Sequence, residues 1–345
     1  LICRPLPQDD LAFIAKHDPN LWTRLANANI FMTGATGFYG AWFLESFCAV
    51  QDMYGLNAKM CILTRNPETF RGRFPHLARR PDIECIQGDI CSFEAPSGNF
   101  EYIVHAATPA SATMNIEAPL EMFTTIVDGT KRVLEFAKSC GAKRFLLASS
   151  GAIYGVQPSS IENMSESFQI GPDTMGISSA YGEGKRAAEC LSAIYGRTYG
   201  FESVVARGYA FVGPHLPLDG TFAIGNFIRD GISKSTIVVG GDGTPYRSYL
   251  YAADLALWLW TILIRGKAFV AYNLGSDEGM TIREVAKSVA SICGTDFKVM
   301  KSPNPDSVPH RYVPDITLAR SELGLSVFTD FKSAVEKTIA WVSRT

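Results

Sequence analysis

At 345 residues the chain exceeds the roughly 250–300 at which a single hydrophobic core stops growing, so two lobes are expected. Hydrophobic residues make up 47%, charged residues 19%, and the formal net charge is −2. This balance describes an ordinary soluble globular protein and argues against nucleic acid or a membrane surface as partner.

In chain order, residues 1–28 hold Leu11, Phe13, Ile14, Leu21, Trp22 and Leu25, a pattern for one or two short helices interrupted near Asp18-Pro19-Asn20. The chain opens on Leu1 with no signal-peptide pattern. Next, Ile30-Phe31-Met32-Thr33 leads into three glycines spaced three apart, Gly34, Gly37 and Gly40. This reads as a buried strand, a tight turn and a helix opening at about Gly37. Gly34 permits the turn, Gly37 lets the backbone approach a pyrophosphate, and Gly40 lets helix and strand pack closely. Thr36, Phe38 and Tyr39 share this loop, whose helix N-terminus presents unpaired N–H groups to phosphates. A glycine-rich turn without a ligand is the competing reading for the glycines alone.

A second strand, Lys59–Leu63, ends at Thr64-Arg65. An acidic residue here bonds a ribose 2′-hydroxyl, whereas a basic one accommodates a 2′-phosphate. Arg65 therefore leans toward NADP over NAD, with an ordinary surface arginine as the alternative. A third strand, Ile83–Gln87, precedes Gly88-Asp89-Ile90, where Asp89 either accepts from an adenine amino group or caps a turn. A fourth, Tyr102–Val104, runs into His105-Ala106-Ala107, whose small residues leave room for a dinucleotide; His105 reads as structural. Leu120, Phe123, Val127, Leu134 and Ala137 recur at helical spacing and predict one long helix over 116–140. A fifth strand, Lys143–Ala148, leads to Ser149-Ser150, placing Ser150 just beyond it. Strands alternating with helices indicate an α/β, doubly wound parallel sheet of Rossmann type, with ligands at the carboxyl ends of its strands.

Tyr181 and Lys185 lie four apart on a helix running from Tyr181 to about Tyr195 and so face the same way. An ammonium beside a phenol is expected to lower its pKa from near 10. Ser150 would hold a substrate oxygen while Tyr181 moves its proton and Lys185 reaches the nicotinamide ribose. The apolar run Leu255–Ile264 falls far short of the ~20 residues of a membrane span. The eight cysteines form no CxxC pair and no cluster with histidine. They read as reduced, mostly buried thiols of a cytoplasmic protein, with no metal site.

From about residue 28 to its end the chain resembles the extended short-chain dehydrogenase/reductase family, in its nucleotide-sugar epimerase, dehydratase and reductase group. The resemblance rests on Gly34 to Gly40, Gly88-Asp89, the small run after strand four, Ser149-Ser150, and Tyr181 with Lys185. It extends through Arg207 to Pro214, Gly241 to Leu250 and Tyr272 to Gly275. It implies a dinucleotide-binding domain at 29–207 with 251–275 returning to it, and a smaller sugar-nucleotide domain at 208–250 and 276–345. It also implies substrate diphosphate contacts from Arg247 and Arg311, and nucleotide contacts from Asn226 and Phe227. A further implication is a homodimer paired through the long helix and the Tyr181 helix.

Several positions depart from the family pattern. Gly151 and Ala152 stand where 4,6-dehydratases carry an Asp-Glu pair and the related decarboxylases keep an acid. Ile126 replaces a usual asparagine, and no asparagine lies near Ala210 in strand six. The leading expectation is an NAD(P)-dependent nucleotide-sugar epimerase working through a 4-keto intermediate. The alternatives are an NADPH-dependent keto-sugar reductase, a 4,6-dehydratase, and a dinucleotide-binding sensor without turnover.

Overall fold

A computed structural model of the chain describes residues 3–108, 112–220 and 222–343. The elements that matter to the site are, in order, α1 (Gln8–His17), β1 (Asn29–Thr33), α2 (Phe38–Tyr54), β2 (Lys59–Thr64), β3 (Ile83–Gln87) and β4 (Tyr102–His105). They continue with α3 (Pro119–Ser139), β5 (Arg144–Ser150), α4 (Ala180–Tyr199), β6 (Glu202–Gly208) and α5 (Ala223–Ile232). Last come α6 (Ala252–Arg265), β7 (Ala271–Leu274), α7 (Ile282–Cys293) and α8 (Phe331–Val342).

The seven strands form one parallel sheet in the order β7-β6-β5-β4-β1-β2-β3. Helices cover both faces, so central strands such as β1 and β5 are buried along nearly their whole length rather than alternating. The strand order reverses between β1 and β4, the switch point at which such sheets open a crevice. This is the α/β Rossmann-type architecture expected, and β7 returns to the sheet beside β6.

Two expectations change in detail. The helix expected over 116–140 is two helices, Ala112–Glu117 and α3, because Pro119 cannot continue a helix but suits the first position of a new one. β5 runs two residues further than expected, so Ser150 ends the strand instead of following it. Among the described residues the cysteines are free; Cys48, Cys61, Cys140 and Cys293 are buried, whereas Cys91 and Cys190 are exposed.

The apolar run inside α6 is core. Every residue from Ala252 to Ile264 is buried, which is how a helix that is apolar all round satisfies itself. Trp260 stacks on Phe43 of α2 at 3.8 Å and donates to Ser46 Oγ at 2.9 Å. The N-terminal segment covers this layer, with Trp22 edge-on to Trp260 at 5.8 Å. Asp10 of α1, 2% exposed, accepts from Tyr251 Oη at 2.6 Å and from the Lys337 ammonium of α8. Trp341 of α8 donates to Pro5 O at 3.1 Å. Among the described residues no helix is long and apolar enough to cross a membrane.

Beyond β6 the chain builds small strands. Tyr246–Arg247 pairs antiparallel with Met280–Thr281 and parallel with Arg311–Tyr312, which sets Tyr312 opposite Arg247.

Candidate active site

The glycine turn comes first. Gly34 has φ +78°, and a Cβ there would sit 2.5 Å from the Ala106 carbonyl carbon. Only glycine fits both the conformation and the approach. A Cβ on Gly40 would meet Ala35 at 2.3 Å, so α2 rests directly on the turn. Gly37, which caps α2, is exposed, and a Cβ on it would meet only Gly34 O at 3.6 Å. The open space therefore lies over Gly37, with partly exposed Thr36, Phe38 and Tyr39 around it. First-turn N–H groups lack intrahelical acceptors, so this surface suits a pyrophosphate.

His105 ties the floor together. The Ala107 N–H donates to Thr33 Oγ1 (3.1 Å), and the Thr33 hydroxyl bonds His105 Nδ1 (2.8 Å). His105 Nε2 bonds Thr130 Oγ1 (3.1 Å), whose hydroxyl donates to Ile126 O (2.6 Å). One direction of donation satisfies the whole row, with the proton on Nε2. Burial pulls the His105 pKa down to about 3, so it stays neutral and structural.

On the far side of the turn, Arg65 is the first residue past β2 and is exposed. Asp89 accepts the Cys91 N–H at 2.9 Å, so it does cap a turn, and it too is exposed. Ile90 lies under α3, where a Cβ on Gly129 would meet it at 3.0 Å. Arg73, unremarked in the sequence reading, donates to Thr36 O at 3.5 Å and brings a second guanidinium to this edge.

Ser150, Tyr181 and Lys185 converge at the carboxyl end of β5. Ser150 Oγ accepts the Ala152 N–H at 3.1 Å and lies near the Tyr181 phenol. Lys185 Nζ donates to Ala148 O at 2.7 Å and stands 6.0 Å from the Tyr181 ring centre. The expected lowering of the tyrosine pKa is not found. Burial pushes Tyr181 above its ordinary value, only partly offset by the nearby Ser150 hydroxyl. Burial also pulls Lys185 down to about 8, with Glu189 opposing. The ammonium is spent on the Ala148 carbonyl and is itself buried, so it does little for the phenol.

One turn beyond Lys185, Glu189 accepts from Ser149 Oγ at 2.5 Å and from Arg207 at 2.7 Å. Arg207 also donates to Tyr154 Oη at 2.8 Å, which donates to Asn273 Oδ1 at 2.9 Å. This network braces α4 against β5, β6 and β7. The spacing 181, 185, 189 along one helix face signalled Glu189 in the sequence, but the reading stopped at Lys185.

The other wall is aromatic. A Cβ on Gly151 would lie 2.7 Å from the Tyr209 ring, and Tyr209 packs on Tyr312 with centroids 4.5 Å apart. Tyr312 Oη reaches Ser150 Oγ at 3.5 Å and Gly208 O at 3.4 Å. Arg247, His310, Arg311 and Tyr312 line a cavity of about 360 Å³ with Gly155 to Gln157. Arg247 and Arg311 thus meet through the small sheet. Arg311 is also held by Glu162 O at 3.1 Å. Glu166 accepts the Asn273 N–H at 2.8 Å and is committed there. Asn226 is bonded to Gly220 O and Arg229 within its own surroundings, and the Phe227 ring is in the core.

A UDP-glucuronic acid decarboxylase of Arabidopsis thaliana is 32% identical to this chain over 300 residues, 86% of this chain and 64% of that protein. The chain spans less than two thirds of the first curated relatives it matches. The solved UDP-glucose 4-epimerase of Thermotoga maritima superposes with a TM-score of 0.76 at 22% identity, covering 92% of this chain and 99% of that one. DesIV, a dTDP-glucose 4,6-dehydratase from Streptomyces venezuelae solved with NAD bound, gives 0.77 at 22% identity, covering 92% and 97%. At that identity the two structures speak for the fold. The sequence model of one family matches residues 30–275, the whole span from the glycine turn to the end of the sheet, and the chain belongs to that family: the NAD dependent epimerase/dehydratase family.

Proposed function

We propose that this protein is an NAD(P)-dependent nucleotide-sugar epimerase that works through a 4-keto intermediate. The observation that carries the reading is the pairing of Ser150, Tyr181 and Lys185 with a wall that has no room for a carboxylate at Gly151. A bound dinucleotide supplies the acceptor and later the donor of hydride. Tyr181 would exchange the proton of the sugar hydroxyl, Ser150 would hold that oxygen, and Lys185 would secure the ribose. Release of the keto sugar to turn over before hydride returns would invert the carbon. The exposed surface at Gly37 and the small Ala106-Ala107 would accept the dinucleotide, with Arg65 and Arg73 favouring a 2′-phosphate. Residues 208–250 and 276–345 would form the sugar-nucleotide lobe, where Arg247 and Arg311 would bind the diphosphate.

Elimination of water and decarboxylation both fit poorly, because Gly151 and Ala152 carry no titratable group beside Ser150. The reductase is favoured over them by Arg65 alone. The working unit would be a homodimer in a reducing cytoplasm, consistent with the free cysteines.

The test identifies the dinucleotide retained on purification, then offers UDP-, TDP-, CDP- and GDP-sugars, UDP-glucuronate included. The expected product, seen by NMR, has one inverted ring carbon and no net consumption of dinucleotide. Loss of water, loss of carbon dioxide or stoichiometric oxidation of NADPH would each replace this reading with another.

A further inference from the structure

Tyr312 is 162 residues from Ser150 in sequence, yet its hydroxyl is 3.5 Å from Ser150 Oγ. Three features fix it there. Its strand pairs in parallel with Tyr246–Arg247, so its position follows from that of the arginines. Its ring lies against Tyr209, which in turn fills the space above Gly151. The Arg247 guanidinium stands 5.8 Å from the centre of the same ring. Meanwhile the ring remains partly exposed to the 360 Å³ cavity.

We propose that Tyr312 is a positioning residue: its hydroxyl orients Ser150 toward the sugar oxygen, and its strand links that serine to the arginines that hold the diphosphate. This rests on the function proposed above. Burial pushes the Tyr312 phenol above its ordinary pKa, so it remains a donor at neutral pH. The single Tyr312 proton has two acceptors within reach, Gly208 O at 3.4 Å and Ser150 Oγ at 3.5 Å; when it turns to Ser150, the serine hydroxyl is free to direct its own proton at Tyr181 or at the substrate oxygen. A nucleotide that draws Arg247 and Arg311 together would seat the Arg311–Tyr312 strand and hence the phenol. Ser150 would then be ordered by arrival of the substrate's far end, an instance of remote binding energy used at the reacting centre.

The test uses Tyr312→Phe, which removes the hydroxyl but keeps the ring stack, in the full chain with its retained dinucleotide. Binding of UDP, TDP, CDP and GDP, and of their glucose conjugates, is measured by calorimetry beside turnover. The expected result is unchanged affinity for the preferred nucleoside diphosphate, a thermal midpoint close to wild type, and kcat lowered by about tenfold, the size of one directed hydrogen bond. KM should change less than kcat. In a Ser150→Ala background the same substitution should cost little, because its effect passes through the serine. Equal kcat for Tyr312→Phe and wild type, or costs that multiply independently in the double variant, would overturn the assignment while leaving the epimerase reading in place. Failure of the wild-type protein to bind any of these nucleotide sugars would overturn both.

Discussion

Replacing Gly151 by Asp would set a carboxylate beside Ser150, but its Cβ would fall 2.7 Å from the Tyr209 ring. The ring is held by Tyr312 and cannot swing away freely. The substitution is expected to destabilise the fold by about 1–3 kcal/mol, as overpacking does, and to yield no dehydratase. Urea denaturation and a product assay check this; pairing it with Tyr209→Ala should recover stability. Lys185 makes a second prediction through pH. Its folded pKa is lowered from 10.5 to about 8, so between those values the unfolded chain binds a proton that the folded one does not. Stability therefore rises with pH across that window, and the burial cost is fully present below it. Lys185→Met should unfold at higher temperature than wild type at pH 7, with the gap shrinking as pH climbs through 8 toward 10.5. A gap independent of pH would contradict the assignment.

The sheet and its glycine turn were legible because they are local and chemically constrained. A strand of Ile, Phe and Met followed by glycines at 34, 37 and 40 admits few other folds, and the positive φ at Gly34 bears out why glycine stands there. That Ser150, Tyr181 and Lys185 come together at one strand end was legible by order and spacing. Tyr312 was not, because two-residue strands have no period to detect and its partner Arg247 is far along the chain. The pKa of Tyr181 was misjudged for a related reason. Spacing places Lys185 beside it but says nothing of burial or of the Ala148 carbonyl that claims the ammonium. The helix α4 holds a further consequence at Glu189, whose side chain and that of Arg207 are each 14% exposed. Glu189→Ala leaves a buried guanidinium without its carboxylate and is expected to cost about 3–5 kcal/mol. Denaturant melts check the loss; one under about 1 kcal/mol would show that Tyr154 suffices to hold Arg207.

At the scale of the whole molecule, α3 and α4 pack together and leave apolar side chains outside. Leu120 is 76% exposed, Ile194 52% and Tyr199 45%. If these helices pair with a second copy, light scattering at micromolar concentration should give twice the chain mass. Ile194→Glu should halve it, while a wild-type monomer would remove the dimer from the proposal. The bond between Asp10 and Lys337 joins α1 to α8, and Trp341 closes on Pro5 beside it. During translation Lys337 emerges 327 residues after Asp10. The apolar face of α1 finds α2 early, but the Asp10 carboxylate waits for its ammonium until α8 has been made. That interval is when a holding chaperone or a protease would find it. A nascent chain stalled before Phe331 should therefore be cut readily within Gln8–His17, and one extended through Val342 should resist; equal resistance in both would mean that α1 settles without α8.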